Sequence, residues 1–375
     1  MDSIILLGVF EGLIIFLLIF LKRQKTVSDY LLSGFFLLYS LNTFLSYLEI
    51  YNRTHEFPYS QFFFISTPFL LLHWPVIWLY VKSLTDQHFK IRPVYLLHFV
   101  PFTVCFIYFC LEYYNKPISE KIVAIQTESF KRQWDYAVVV LSMALSSVVY
   151  FSWAVLLVKR YNRQIKGYFS ETSKYDLAWL RMLMTTSAVI YTVIYLTFVV
   201  DLVLPLASFK GLHQASFMLG SLYIVVLGFY GHRQGNLFSD KKIAIELNVP
   251  KPISRDTYSL DKKENDFIHC LLGYMNEQKP FLVLEITLAA LADDLKVTPE
   301  YLSGIINSKL GKNFYDFINH YRIEEFKTRC LMPENKNFTL LAIAFDCGFN
   351  SKATFNRVFK NATGVTPGDY ARANS

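Results

Sequence analysis

Two regimes of hydrophobic patterning divide the chain. Up to about Tyr230 apolar residues form long runs with almost no charge, whereas beyond His232 they recur at three- and four-residue spacing between charged positions. A helix that crosses a bilayer needs about 20 mostly apolar residues. Seven runs meet this need: Ile4 to Leu21, Tyr30 to Ile50, Phe62 to Val81, Tyr95 to Tyr113, Tyr136 to Val158, Leu177 to Leu202 and Ala215 to Tyr230. The pattern predicts an all-α chain with a seven-helix transmembrane bundle over residues 1–231. A linker over 232–262 and an all-α C-terminal domain over 263–375 follow. The first run starts at Met1-Asp2 and has positive charge after it, so it reads as an anchor with its N-terminus outside rather than as a cleaved signal.

Composition agrees with this division. Of 375 residues 53% are hydrophobic and 18% charged, too apolar for a wholly soluble protein. The net charge of +7 is unevenly placed. Connections after runs one, three and five hold eleven Lys and Arg (Lys22, Arg23, Lys25, Lys82, Lys90, Arg92, Lys159, Arg160, Arg163, Lys166, Lys174). Those after runs two, four and six hold six, four of them balanced by Glu112, Glu120, Glu128 and Asp135. Basic loops stay cytoplasmic, so seven crossings leave the C-terminal domain in the cytoplasm.

Ionisable residues at membrane depth point to function. Glu11, His73 and Asp201 are candidates to line an outward-opening cavity for a small-molecule or lipid signal. The alternative is that they satisfy one another or reach headgroups. The five cysteines lack metal-ligand spacing and read as reduced, buried thiols. No HExxH, GxSxG, P-loop or catalytic carboxylate pair occurs, so neither an enzyme nor a cofactor is expected. His232 to Lys262, with Pro250 and Pro252, reads as a tether containing a short strand-like piece at Ile243 to Val249. About 30 such residues span about 30 Å on average, enough clearance for a duplex beneath the bilayer.

The C-terminal domain holds an internal repeat. TLAALADDLKVTPEYLSGIINSKLGKN, from Thr287, aligns with TLLAIAFDCGFNSKATFNRVFKNATGVT, from Thr339, with one gap at Gly348. In each copy a threonine caps a short helix, an alanine (Ala292, Ala344) sits where a second helix must cross closely, and a tight turn leads to that helix. Thr298-Pro299 and Asn350-Ser351 start the second helices, and Gly311 and Gly364 stop them. Asn313 to Leu331 between the copies is one unbroken helical run ended by Pro333. It would set the spacing of two reading helices for successive major grooves about 34 Å apart.

These residues resemble the AraC/XylS-type DNA-binding domain. The signature stands as Ile343-Ala344, Gly348-Phe349, Phe355-Asn356-Arg357-Val358-Phe359-Lys360 and Gly364-Val365-Thr366-Pro367-Gly368-Asp369-Tyr370, with Tyr321-Arg322-Ile323 in the linking helix. The whole chain is also similar in layout to membrane-tethered members with seven spans before that domain. The resemblance implies that Lys352, Ala353, Asn356 and Arg357 face double-stranded DNA in the second motif, and Glu300, Ser303, Gly304 and Asn307 in the first. A guanidinium suits a guanine edge, so Arg357 is the strongest base-reading candidate, while Ser351, Thr354 and Lys360 suit phosphate.

From Lys263 onward thirteen basic residues meet thirteen acidic ones, but Lys336 onward holds five against two. The second motif is therefore expected to anchor, with two membrane-confined chains acting as a homodimer on DNA. The implied function is a multi-pass sensor and transcription activator in a bacterial-type cytoplasmic membrane, with RNA polymerase as a further partner. A transporter or channel with a cytoplasmic regulatory module is the alternative.

Overall fold

Gly8 and Gly12 determine how the first helix packs. In a computed structural model of the chain, which describes residues 2–86, 88–173, 177–204, 208–234 and 260–374, any side chain at Gly8 would overlap Ser221 and any at Gly12 would overlap Ser40. One small residue per turn on this face lets α1 (Asp2–Phe20) lie close against α2 (Val27–Asn52) and α8 (Phe209–Gln234). Helix α2 starts with a capping box in which Thr26 and Asp29 bond each other's backbone N–H, and Lys22 pairs with Asp29 at 2.6 Å.

The chain divides into two compact units: Met1–Lys159 with Ala178–Lys242, and Arg160–Leu177 with Ile243–Ser375. The first unit continues through α3 (Ser66–Thr85), α4 (Val100–Phe109), α5 (Ile118–Thr127), most of α6 (Trp134–Ile165) and α7 (Ala178–Val203). A 3₁₀ segment at Pro93–Phe99 and a π segment at Cys110–Tyr114 extend α4 at its two ends. Among the described residues five helical segments are long and apolar enough to cross a membrane: Asp2–Phe20, Val27–Asn52, Pro93–Tyr114, Trp134–Ile165 and Leu180–Val203.

The third and seventh expected spans coincide with α3 and α8, which fall outside that group of five. Helix α3 carries Ser66, Thr67, His73, Trp74, Trp78, Tyr80 and Lys82, and most of it is buried in the unit. A helix that faces protein needs less apolarity than one that faces lipid. By contrast Leu7, Phe10, Leu96, Leu111, Leu145 and Val189 stay exposed on the segments that do qualify.

The second unit contains α9 (Leu260–Glu277), α10 (Leu288–Asp294), α11 (Pro299–Ser308), α12 (Phe314–Cys330), α13 (Leu340–Asp346), α14 (Lys352–Thr363) and α15 (Pro367–Asn374). Helix α12 supplies both of its cores. Phe314, Phe317 and Ile318 join Leu271, Leu288, Leu291 and Leu302, while Ile323 and Phe326 join Ile343, Phe349, Phe355 and Phe359. Each such side chain contributes roughly 1.5–3 kcal/mol on burial, so the rod is fixed firmly to both motifs. The expected linker lies outside the described residues, including Ile243 to Val249, except that His232 to Gln234 end α8 and Leu260 to Lys262 begin α9. Of the five thiols, all free, Cys347 alone is buried and Cys270 is exposed, which corrects the expectation that all are interior.

Candidate nucleic-acid interface

Each helix-turn-helix begins with a threonine cap. Thr287 Oγ1 accepts the Ala290 N–H at 3.1 Å and Thr339 Oγ1 accepts the Ala342 N–H at 3.1 Å, satisfying donors that the first turn leaves free. Ala292 and Ala344 are wholly buried at the helix crossings. The second helices are capped by Thr298 and Ser351, whose hydroxyls accept from Tyr301 N–H at 3.3 Å and Thr354 N–H at 3.0 Å. Gly364, at φ +79°, ends α14 with its N–H on the Lys360 carbonyl. Helix α11 ends before Gly311, with Lys309 in the capping position.

The turns correct the alignment. Lys296 (φ 56°) and Gly348 (φ +90°) occupy equivalent left-handed positions, donating to Asp293 O and Phe345 O, and the next residues donate to Ala292 O and Ala344 O. Val297 is then followed directly by its cap, whereas Asn350 intervenes before Ser351. The extra residue of the second copy is therefore Asn350 rather than Gly348. Gly348 is required for a further reason: a Cβ there would lie 2.5 Å from Phe281 O and 2.9 Å from Arg322 Nε.

Helix α14 separates its residues by face. Phe355 and Phe359 enter the core, while Lys352, Ala353, Asn356, Arg357 and Lys360 are exposed together. Ser351 is half-buried at the cap. Thr354 departs from the expected phosphate contact: it is 3% exposed, and its hydroxyl donates to Glu171 Oε1 at 3.4 Å. Arg357 donates to Tyr315 Oη at 3.3 Å, an anchor on α12 that leaves the guanidinium at the surface. The Tyr315 phenol is pushed up by burial, and Arg357 partly opposes that shift.

The first motif is less basic. Gly304 and Asn307 are exposed and Glu300 and Ser303 half-buried on α11, with Asn307 Nδ2 bonded to Ser303 O at 2.8 Å. Asp293 and Asp294 are exposed nearby, and Lys309 is paired with Glu264 at 2.9 Å. Phosphate would meet weaker attraction here than at α14.

Two polar groups support the frame, and the sequence reading gave neither a bonding role. Arg322 is 1% exposed, and donates to Phe281 O at 2.7 Å and Val283 O at 2.9 Å. Burial pushes its guanidinium down to about 10, with the Glu171 charge opposing the shift. Glu325 bonds Lys279 at 2.9 Å and Arg329 at 2.7 Å; burial pulls its carboxyl up, yet these two cations outweigh it and hold it below the usual range. The Tyr-Arg-Ile motif was visible in the sequence, but the carbonyls that bond its arginine lie far upstream.

In the first unit the three candidate signal residues are not brought together. His73 is buried, with Nδ1 3.3 Å from Tyr191 Oη, and lines a cavity of about 150 Å³ with Tyr39, Ser187, Tyr191, His213 and Tyr223. Asp201 is buried in an ion pair with Lys131 at 2.5 Å, and Glu11 is half-buried on α1; neither lines that cavity. Glu49, bonded by Ser66 Oγ at 2.7 Å and 3.8 Å from His213 Nε2, is a buried acid that run-level reading passed over.

Residues 291–373 match a family model described as a helix-turn-helix domain. The match takes in most of both helix-turn-helix motifs and supports DNA binding and transcription regulation by this part of the chain. A solved structure from Listeria innocua, described as a protein of unknown function, is 29% identical over 29% of this chain and 97% of its own, with a TM-score of 0.26. No curated protein matches the chain.

Proposed function

We propose that the chain is a membrane-embedded, sequence-specific transcription activator, controlled by a signal that acts on its N-terminal helices. The observation that carries this reading is the exposed face of Lys352, Ala353, Asn356, Arg357 and Lys360 on a capped helix, seated by a common rod to a second helix-turn-helix. Arg357 reads a guanine edge, and Lys352, Lys360 and Ser351 hold phosphate. Thr354 does so only if it leaves Glu171. Helix α11, with Glu300, Ser303, Gly304 and Asn307, adds shape contacts more than base contacts.

Five qualifying helices and the coincidence of α3 and α8 with the remaining runs support seven crossings. The loop charges favour a cytoplasmic DNA-binding domain. The cavity beside His73 supports reception of a largely apolar signal with some polar character, since its walls are aromatic and aliphatic apart from a few hydroxyl and imidazole groups and the Asp135 carboxylate. Such a ligand must bind two packings of the bundle unequally in order to shift them. Two chains on one promoter would offset the modest charge of one domain. Chromatin mapping of the intact protein in its own cell tests the proposal: discrete promoter peaks are expected, lost when 351–360 is deleted. Peaks unchanged by the deletion would refute it.

A further inference from the structure

The DNA-binding unit includes a segment from far upstream, Arg160–Leu177, and the middle of that segment is seated on it through backbone bonds. Tyr315 N–H donates to Lys166 O at 2.9 Å, Leu288 N–H to Tyr168 O at 2.9 Å, and Ser170 N–H to Ile286 O at 3.3 Å. Phe169 and Thr287 form an antiparallel bridge. Asn319 donates to Ser170 O at 3.2 Å, and Glu171 accepts from Thr354 on α14. Ser170, Glu171 and Thr172 are buried. One short stretch, a turn followed by a few extended residues, therefore touches the first motif's cap, the rod and the second motif's reading helix.

We infer that residues 166–172 are a brace that holds the two helix-turn-helix motifs in the arrangement where both address one duplex. The inference rests on the DNA-binding reading and adds its regulation. The brace leaves the reading face uncovered, since Lys352, Asn356, Arg357 and Lys360 stay exposed with it in place, so it acts as a positioner rather than a plug. It also reaches that face indirectly: the Lys166 ammonium lies 5.3 Å from the Tyr315 ring centroid, and Tyr315 holds Arg357. Ser170 Oγ donates to Ile286 O at 2.8 Å and accepts from Arg322 at 3.4 Å, and the Glu171 charge offsets that of the buried Arg322 guanidinium. The segment lies between α6 and α7 in the chain.

The test uses the full chain in lipid nanodiscs and a duplex enriched by the parent protein from a random pool about two helical turns long. A shortened duplex keeps only the part that α14 protects. Ser170→Pro removes the N–H that bonds Ile286. Faster amide exchange at Leu288 and Tyr315 is expected, with about tenfold weaker binding to the full duplex and unchanged binding to the short one. If exchange accelerates and full-duplex affinity equals the parent's, or if both duplexes weaken alike, the brace is refuted. Unchanged exchange would show that the seat is not held as described. Should Ser170→Pro fail to fold, the Ser170→Ala, Glu171→Gln pair carries the same comparison, since it removes the hydroxyl bond to Ile286 O and the charge that offsets Arg322. A parent that enriches no duplex overturns the DNA-binding reading itself, and the brace with it.

Discussion

At Arg357 one side chain separates reading from holding. Its guanidinium is exposed on α14 and donates one hydrogen bond to Tyr315 Oη. Arg357→Ala should cost about 1–3 kcal/mol on the preferred duplex and relax selectivity at one base pair. Lys360→Ala should weaken all duplexes evenly and reduce the salt slope by about one. Fluorescence anisotropy on matched and mismatched duplexes separates the two. Glu325 gives a pH signature. Its folded carboxyl is held below its ordinary range by Lys279 and Arg329, so its contribution is full above that range and is lost as pH falls through the lowered value. Glu325→Gln should therefore be less stable than the parent at neutral pH by no more than about 1 kcal/mol, and equal to it in strong acid, as followed by chemical unfolding. The α14 candidates came from the family resemblance, and their common exposure on one face of the helix agrees with its cap and period. The burial of Thr354 was not legible in the sequence, because its partner Glu171 comes from a distant part of the chain.

Among the elements, those set by local chemistry were the easiest to foresee. Caps at Thr287, Thr298, Thr339 and Ser351 and the long rod follow from hydrogen bonds and periodicity within a few residues. The position of the extra residue did not, since sequence matching cannot distinguish Gly348 from Asn350 without the backbone conformation. Packing between elements was hidden as well. The spacing of Gly8 and Gly12 lay inside a run read only for its length, and its use against Ser221 and Ser40 appears once α2 and α8 are beside α1. Gly8→Leu should force α1 away from α8 and lower the melting temperature of the full chain in detergent, whereas Gly34→Leu, where a Cβ meets nothing within 4 Å, should have little effect.

For the whole molecule, division into an apolar unit and a helix-turn-helix unit was evident from patterning, but the boundary was not fully so. Arg160–Leu177 reads as a basic loop between two spans, yet it belongs to the second unit through backbone bonds that carry no side-chain signature. The counting of spans met a similar limit, because most of α3 is buried by its neighbours, so its composition answers to protein contacts. The central claim is that this membrane-embedded chain grips duplex DNA through α14. The most direct measurement is a titration of the enriched duplex with the full chain in nanodiscs over a range of salt. Affinity that falls steeply with salt and is lost in the Lys352→Ala, Arg357→Ala pair is the predicted result. Binding no stronger than that of empty nanodiscs, or undiminished in that pair, would contradict the account.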